Sequence, residues 1–472
     1  MKLKNIIIGM LSTSIIFTTS VPFASYAYDK SDLPDIGDIN IDFDPDKVKE
    51  ASYEFTLKSD GTYEISKFIY DSSTVYPFSP SPDLEIPSTY KDKPITSIGK
   101  SAFCTNNADH LTGCITIPDT VTSIGASAFY LGEFTNCVIP SSVTSIGVNA
   151  FRNTPYLDNM RAKNPLFIVN NILVDAQTAK GAVIVPNGVT EICGYAFYEN
   201  ADVTSVTLPD SVKSIGENAF DGCEALTKIN LPDGLVQLGD SAFQQCRSLS
   251  GTLKIPNGIK NIDSFTFNSC VNLSGITLPD GLTEIGNNAF RNCQNITSLT
   301  IPNTVKTIGI GAFSEMRTLE SLIVPASVTS IGNYCFDYTY CLDSLTILNP
   351  NCAIYDDKTT VYGRTTIYGY SGSTAQAYAE KYGKYFSALD QSQIKLGDVD
   401  FSGDISPLDS SITLSAYAML STTGNSGLNA AQTTAADVDR SGYIDPGDAS
   451  YILSYYAYLA TGGTESIEKF IG

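Results

Sequence analysis

The chain reads as a mainly β repeat solenoid of about eleven turns, followed by a small α-helical module. Three observations predict this. Prolines fall at Pro186, Pro209, Pro232, Pro256, Pro279, Pro302 and Pro325, in steps of 23 or 24 residues. Phenylalanines keep the same time at Phe197, Phe220, Phe243, Phe267, Phe290, Phe313 and Phe336, with earlier copies at Phe103, Phe129 and Phe151. Near the C-terminus, residues 398–420 and 437–459 are identical at 14 of 23 positions, and each stretch opens on an Asp-, Ser- and Gly-rich loop.

The first 27 residues have a basic head (Lys2, Lys4), an apolar stretch and small residues ending at Ala27. This is the pattern of a secretory signal cleaved after Ala27, and its apolar core is too short to span a bilayer comfortably. No other stretch has the ~20 apolar residues of a spanning helix, and no sortase-type motif is present. The mature protein is expected to be exported without a wall anchor of its own, and residues 28–52 read as a linker. Acidic residues number 50 against 29 basic, a formal charge of −21. That balance excludes a protein that binds nucleic acid by displacing counterions, and one that adheres to anionic lipid.

One turn, residues 206–228, shows how each repeat is expected to fold. Val206 and Leu208 alternate with Ser205 and Thr207, the period of a strand with one buried face. Pro209 lacks an N–H and ends the strand. Asp210 and Ser211 make the corner, Val212 and Ile215 point inward, and Gly216 is expected to supply a positive φ. Ala219 and Phe220 close the turn. A buried Phe contributes about 1.5–3 kcal/mol. One unit cannot bury its own apolar face, so the array is stable only when stacked and capped. The 46-residue step from Phe151 to Phe197 implies one degenerate copy around 167–173.

The outward strand positions are Ser205/Thr207, Lys228/Asn230, Thr252/Lys254, Gly275/Thr277, Ser298/Thr300, Ser321/Ile323 and Ser344/Thr346. This row has no aromatic ring to stack on a sugar, and the chain has no Trp. Tyr334, Tyr338, Tyr340, Tyr355, Tyr362, Tyr368 and Tyr370 are expected to pack at the solenoid's end. Of eleven cysteines, Cys223, Cys246, Cys270 and Cys293 each follow the repeat Phe by three residues. They are read as a ladder of free core thiols, behaving as small hydrophobes. Cys104/Cys114 and Cys335/Cys341 are local pairs close enough to bridge. His110 is the single histidine, which excludes two-histidine zinc motifs, and its pairing with Cys104 is read as loop structure rather than a catalytic dyad. No phosphate-binding glycine loop is present, and no cleft-forming domain remains to host paired carboxylates. The chain is therefore expected not to be an enzyme.

These repeats resemble the BspA-like leucine-rich repeats of bacterial surface proteins, over roughly residues 50–390. Residues 53–68, with Asp60-Gly61 at the turn, resemble that family's opening hairpin, and residues 366–383 its closing cap. The resemblance implies a capping hairpin at 53–98, a solenoid with its cap at 99–390, and a protein-recognition or adhesion surface.

The C-terminal module, 391–472, carries two twelve-residue calcium-loop patterns. Calcium is a hard cation that takes oxygens from loop positions 1, 3, 5, 7, 9 and 12, with Gly at 6. The first loop offers Asp398, Asp400, Ser402, the Asp404 carbonyl, Ser406 and Asp409, with Gly403 at position 6. The second offers Asp437, Asp439, Ser441, the Tyr443 carbonyl, Asp445 and Asp448, with Gly442. Ile405 and Ile444 at position 8 pair or enter the core. A helix follows each loop, Pro407 to Leu420 and Pro446 to Leu459, with a polar linker at 421–436. Asp, rather than the Glu of an ordinary EF-hand, fills position 12.

This tandem loop–helix pattern resembles a type I dockerin over about 394–462. It departs in having Ser at position 5 of both loops and loop starts 39 residues apart. The resemblance implies two bound calcium ions and a cohesin partner on a scaffoldin. Family contact positions map to Pro407, Leu408, Leu414, Ser415 and Met419 in the first copy, and to Pro446, Gly447, Leu453, Ser454 and Tyr458 in the second. The expected role is a secreted, non-catalytic subunit of a cellulosome-type, polysaccharide-degrading complex, with the repeat face recognising a protein or a cell. A polysaccharide-binding module and a free secreted adhesin are the alternatives.

Overall fold

The computed structural model describes residues 52–69, 83–104, 112–389, 395–423, 426, 428 and 430–471. The expected signal sequence and His110 lie outside them.

The described chain winds as a β-solenoid of about 12 turns. The count exceeds the expected one partly because the opening hairpin joins the stack. Ser52–Leu57 pairs antiparallel with Tyr63–Ile69, whose Ile65 then pairs parallel with Ile98. Phe68 of this hairpin stacks on Phe103, centroids 4.9 Å apart.

Each regular turn contributes two strand segments to parallel ladders. Val203–Thr207 pairs with Lys228–Ile229 in one, and Ser214–Ile215 with Gln237–Leu238 in the other. Val206, Leu208, Val212, Ile215 and Phe220 are all buried, while Thr207 is exposed, as the alternation requires. The phenylalanines form a continuous column from Phe197 to Phe336, with neighbouring centroids 4.8–5.9 Å apart. The repeat spacing thus places identical side chains one strand separation apart along the axis.

Gly216 differs from expectation. It is not among the residues with positive φ; the left-handed residue is Asn218, φ 52°, two positions later. The glycine is needed because a Cβ there would lie 2.4 Å from the backbone nitrogen of Gly194 in the previous turn. Two turns approach too closely at this point for any side chain.

The degenerate copy is a helix followed by a hairpin. Thr154 caps helix α1 (Pro155–Lys163) by accepting from the Leu157 N–H, and Pro155 occupies the first turn, where a missing N–H costs nothing. Phe167–Val169 then pairs antiparallel with Ile172–Asp175. Arg161 holds the insertion with a bidentate pair to buried Asp175, 2.8 and 2.7 Å. The phenylalanine column breaks here, and Phe151 meets Phe167 edge-on.

The four ladder cysteines are buried free thiols, each donating to the carbonyl of the repeat Phe one turn back, at 3.1 Å. Burial pushes the Cys223 and Cys293 thiols up to about 12. Neither local cysteine pair is bridged. The solenoid closes with Thr366–Gly369, helix α2 (Thr374–Tyr382) and Tyr385–Ala388. Tyr334, Tyr338, Tyr340 and Tyr355 are exposed rather than packed, with Tyr338, Tyr340 and Tyr362 in mutual ring contact. They project from turn edges, where the inward positions are already filled by Phe336 and Val361.

The C-terminal module has its own small core, built on Val399, Ile405, Val438, Ile444, Ile452 and Tyr455. Helix α3 (Pro407–Thr423) packs against helix α5 (Pro446–Ala460). Part of the expected polar linker is helix α4 (Ala430–Ala436), which buries Ala435 and Ala436. Helix α6 (Ile467–Ile471) closes the module by inserting Ile467.

Candidate metal centre

The two loops have matching backbones. Position 6 is left-handed in both, Gly403 at φ 92° and Gly442 at φ 86°. Position 4 is left-handed as well, Phe401 at 57° and Arg440 at 58°. Each position-6 N–H donates to the position-1 carboxylate, Gly403 to Asp398 and Gly442 to Asp437, at 2.9 Å. This wraps the loop around its first Asp.

The position-12 carboxylate ties the loop to the helix that follows. Asp409 Oδ1 accepts from the N–H groups of Val399 and Asp400, and its Oδ2 accepts from Ser406. Asp448 does the same with Val438, Asp439 and Asp445. Asp445 also caps α5 by accepting from the Gly447 N–H at 2.6 Å.

Carboxylate oxygens of Asp398, Asp400 and Asp409 come within 4.8 Å of one another, as do those of Asp437, Asp439 and Asp448. At position 5, the Ser402 hydroxyl donates to the Asp404 carbonyl at 3.0 Å, and that of Ser441 to the Tyr443 carbonyl at 3.1 Å. Ser406 Oγ donates to Asp409 Oδ2. Burial, and then the charge of Asp409, push Asp398 up to about 7. Burial raises Asp409 and Asp448 as well. Asp398 Oδ1 is buried without a hydrogen-bond partner. An orphaned carboxylate oxygen facing two other carboxylates is costly unless a cation neutralises it. An all-oxygen donor set suits a hard divalent cation such as calcium.

The paired helices present several of the expected contact residues outward. On α3, Pro407, Leu408, Leu414, Ser415 and Met419 are exposed. On α5, Pro446, Leu453 and Ser454 are exposed and Gly447 is half-buried. Tyr458 departs from this pattern. Its ring packs on Tyr455 and Phe470, and its hydroxyl accepts from the N–H groups of Thr464 and Glu465. The helices also expose Tyr417, Tyr451, Tyr456 and Leu459, which sequence reasoning passed over. Their signal was an apolar count on both helices larger than the small core can absorb.

A second feature was invisible in the sequence. Asp221, one residue after a repeat Phe, is buried with Oδ1 unpartnered, while Oδ2 accepts from Gln244 at 3.1 Å. Burial pushes it up to about 6.

The fold defines a leucine-rich-repeat solenoid carrying a C-terminal loop–helix module. The model of the BspA type leucine rich repeat region matches in six copies, over residues 83–180, 176–252 and 251–358. The chain belongs to that family. Among solved structures, it is similar to a leucine rich cell surface protein from Faecalibacterium prausnitzii, at 25% identity, 71% of this chain, 98% of that chain and a TM-score of 0.33. It is similar to a leucine-rich repeat protein from Bacteroides ovatus at 22% identity, 70% and 100% coverage and a TM-score of 0.27. The pneumococcal vaccine antigen PcpA is 14% identical, with 72% and 97% coverage and a TM-score of 0.34. No curated protein matches. Among the described residues, no helix is long and apolar enough to cross a membrane.

Proposed function

We propose that the chain is an exported, non-catalytic subunit of a cellulosome-type complex, tethered by calcium-dependent docking of its C-terminal module into a cohesin. The observation that carries this reading is the pair of matched loops, each gathering three carboxylates and each leading into a helix with exposed apolar side chains. Two calcium ions would hold the loops, and Leu408, Leu414, Met419 and Leu453 would supply the apolar contacts that dominate such interfaces. The repeat solenoid then displays a long Ser/Thr-rich face for protein recognition or adhesion at the cell surface.

Calorimetry of the full chain against a panel of type I cohesins, with calcium and then with chelator, tests the proposal. Tight binding, lost in chelator and in an Asp398→Ala/Asp437→Ala double variant, supports it. Calcium binding with no cohesin partner would instead make the chain a free secreted adhesin. The exposed Tyr338 and Tyr340 favour one second reading, contact with polysaccharide through ring stacking. Retardation in affinity gels cast with plant polysaccharides, abolished by Tyr338→Ala/Tyr340→Ala, separates that reading from protein recognition.

A further inference from the structure

The two loops are near-copies in sequence, yet their surroundings differ. Asp398, Asp400 and Asp409 are 4%, 6% and 0% exposed. In the second loop Asp448 is equally buried, but Asp437 is half-buried and Asp439 exposed. The loops also differ at position 4. The first loop has an apolar residue there, Phe401, half-buried against the module's own core. Its ring meets Tyr370 of the solenoid's closing cap, with centroids 6.3 Å apart. The second loop has Arg440, which stays in solvent and reaches only Glu468 of α6, at 3.8 Å.

Between the first loop and the solenoid lies a pocket of about 210 Å³, walled by Ile323, Thr346, Leu348 and Tyr370 on one side and by Asp398 and Phe401 on the other. Lys395 reaches across the same rim to donate to the Gly403 carbonyl at 2.6 Å. The unpartnered Asp398 Oδ1 belongs to the covered side of this loop, whose Ser402, Gly403 and Asp404 stay exposed. Among the described residues the second loop has no such cover, and Tyr443 at its rim is 79% exposed.

We infer that the solenoid's closing cap roofs the first loop, so that the two divalent-cation sites are unequal: the first is occluded and slow to exchange, the second open and fast. The inference rests on the calcium reading above. A cation in the first loop leaves only when the Tyr370–Phe401 contact opens, whereas one in the second loop leaves directly to solvent. Local opening of a packed contact adds a free-energy step before release. Tyr370 and Phe401 act here as positioning residues, and Tyr370 also lies within reach of the Asp398 charge. The arrangement would keep the first site filled, and the module ordered against the solenoid, while the second responds to calcium in the medium.

Stopped-flow release from the calcium-loaded full chain into a fluorescent chelator tests this. Two phases of equal amplitude are expected, the slower by about tenfold or more. Asp437→Ala should remove the fast phase and Asp398→Ala the slow one. Tyr370→Ala should accelerate the slow phase by about fivefold or more and leave the fast phase unchanged. Phe401→Ala, made from the other side of the contact, should do the same and guards against misfolding of the cap in the first variant. Two phases that neither variant alters, or one phase of double amplitude, would overturn the inference while leaving calcium binding intact. No calcium release at all would overturn both readings.

Discussion

The regular solenoid turns and the C-terminal loops both use short repeated motifs, but they bury opposite kinds of group. Between Phe197 and Phe336 each turn adds one aromatic ring and a set of aliphatic side chains to a common column. The loops instead bury carboxylates: Asp398, Asp400 and Asp409 in the first, Asp448 in the second. Apolar burial is favourable on its own and grows with every turn stacked. Buried carboxylates repel one another and become favourable only with a cation between them. The solenoid therefore carries its stability within the chain, while the module's is expected to depend on the medium.

The sharpest way to break that comparison is to remove divalent cations. In chelator the module's thermal transition is expected to fall by on the order of 20 °C, because each site at a hundredfold excess over its dissociation constant contributes about 2.7 kcal/mol. The solenoid's transition should stay where it was. Differential scanning calorimetry with and without EDTA reads both, and a solenoid that moves in step with the module would erase the distinction.

The converse change is Phe243→Ala, in the middle of the aromatic column. It should cost about 3–5 kcal/mol of solenoid stability by denaturant unfolding, with calcium affinity at the loops unaltered. A coupled loss of affinity would mean that the two regions unfold as one.

Glycine separates them next. A Cβ on Gly239 would lie 2.6 Å from the Glu217 nitrogen, so Ala and Asn should each cost the solenoid about 1–3 kcal/mol. Gly442 has open space around it and φ 86°, so Gly442→Asn should be tolerated better than Gly442→Ala, because Asn accepts left-handed backbone. Equal effects of Ala and Asn at Gly442 would refute this account of the loop.

The smallest effect belongs to Asp221, a buried carboxylate within the solenoid. Its folded pKa, about 6, lies above the unfolded value of about 3.9. The folded state thus holds the proton more tightly, and its stability should decline as pH rises from about 4 to 6. Asp221→Asn should flatten that decline, by on the order of 1–2 kcal/mol at pH 7, in urea titrations across the range. An unchanged slope would mean that Asp221 is not the group responsible.

Much of this architecture is legible in the letters. The proline and phenylalanine spacing yields the strands, the buried column and the cysteine ladder, because each depends on one turn repeating. The gathering of three carboxylates in each loop was equally legible, since the loop spacing is local. The helix inserted at 155–163 was hidden, because it replaces a repeat rather than altering one. Helix α4 was hidden in an Ala- and Thr-rich stretch with little apolar periodicity, and α6, with Ile467, Phe470 and Ile471 on one face, was hidden by being a single turn and a half long. The role of Gly216 was misjudged, because close approach between turns leaves no trace within a single turn. Tyr458 is expected outward from the family's contact positions, and only the return of α6 turns its ring onto Phe470.

Sequence alone thus suffices for whatever is periodic or local: the repeat length, the buried face, and the carboxylate cluster of each loop. Those properties follow from neighbours within a turn, where spacing maps directly onto geometry. What lies between segments far apart in the chain needs the folded molecule. Nothing in the two near-identical loops announces that Phe401 meets Tyr370 while Arg440 stays in water, or that Asp221 loses its solvent. Burial and field at those positions are set by groups brought near through packing, and packing is a property of the whole chain.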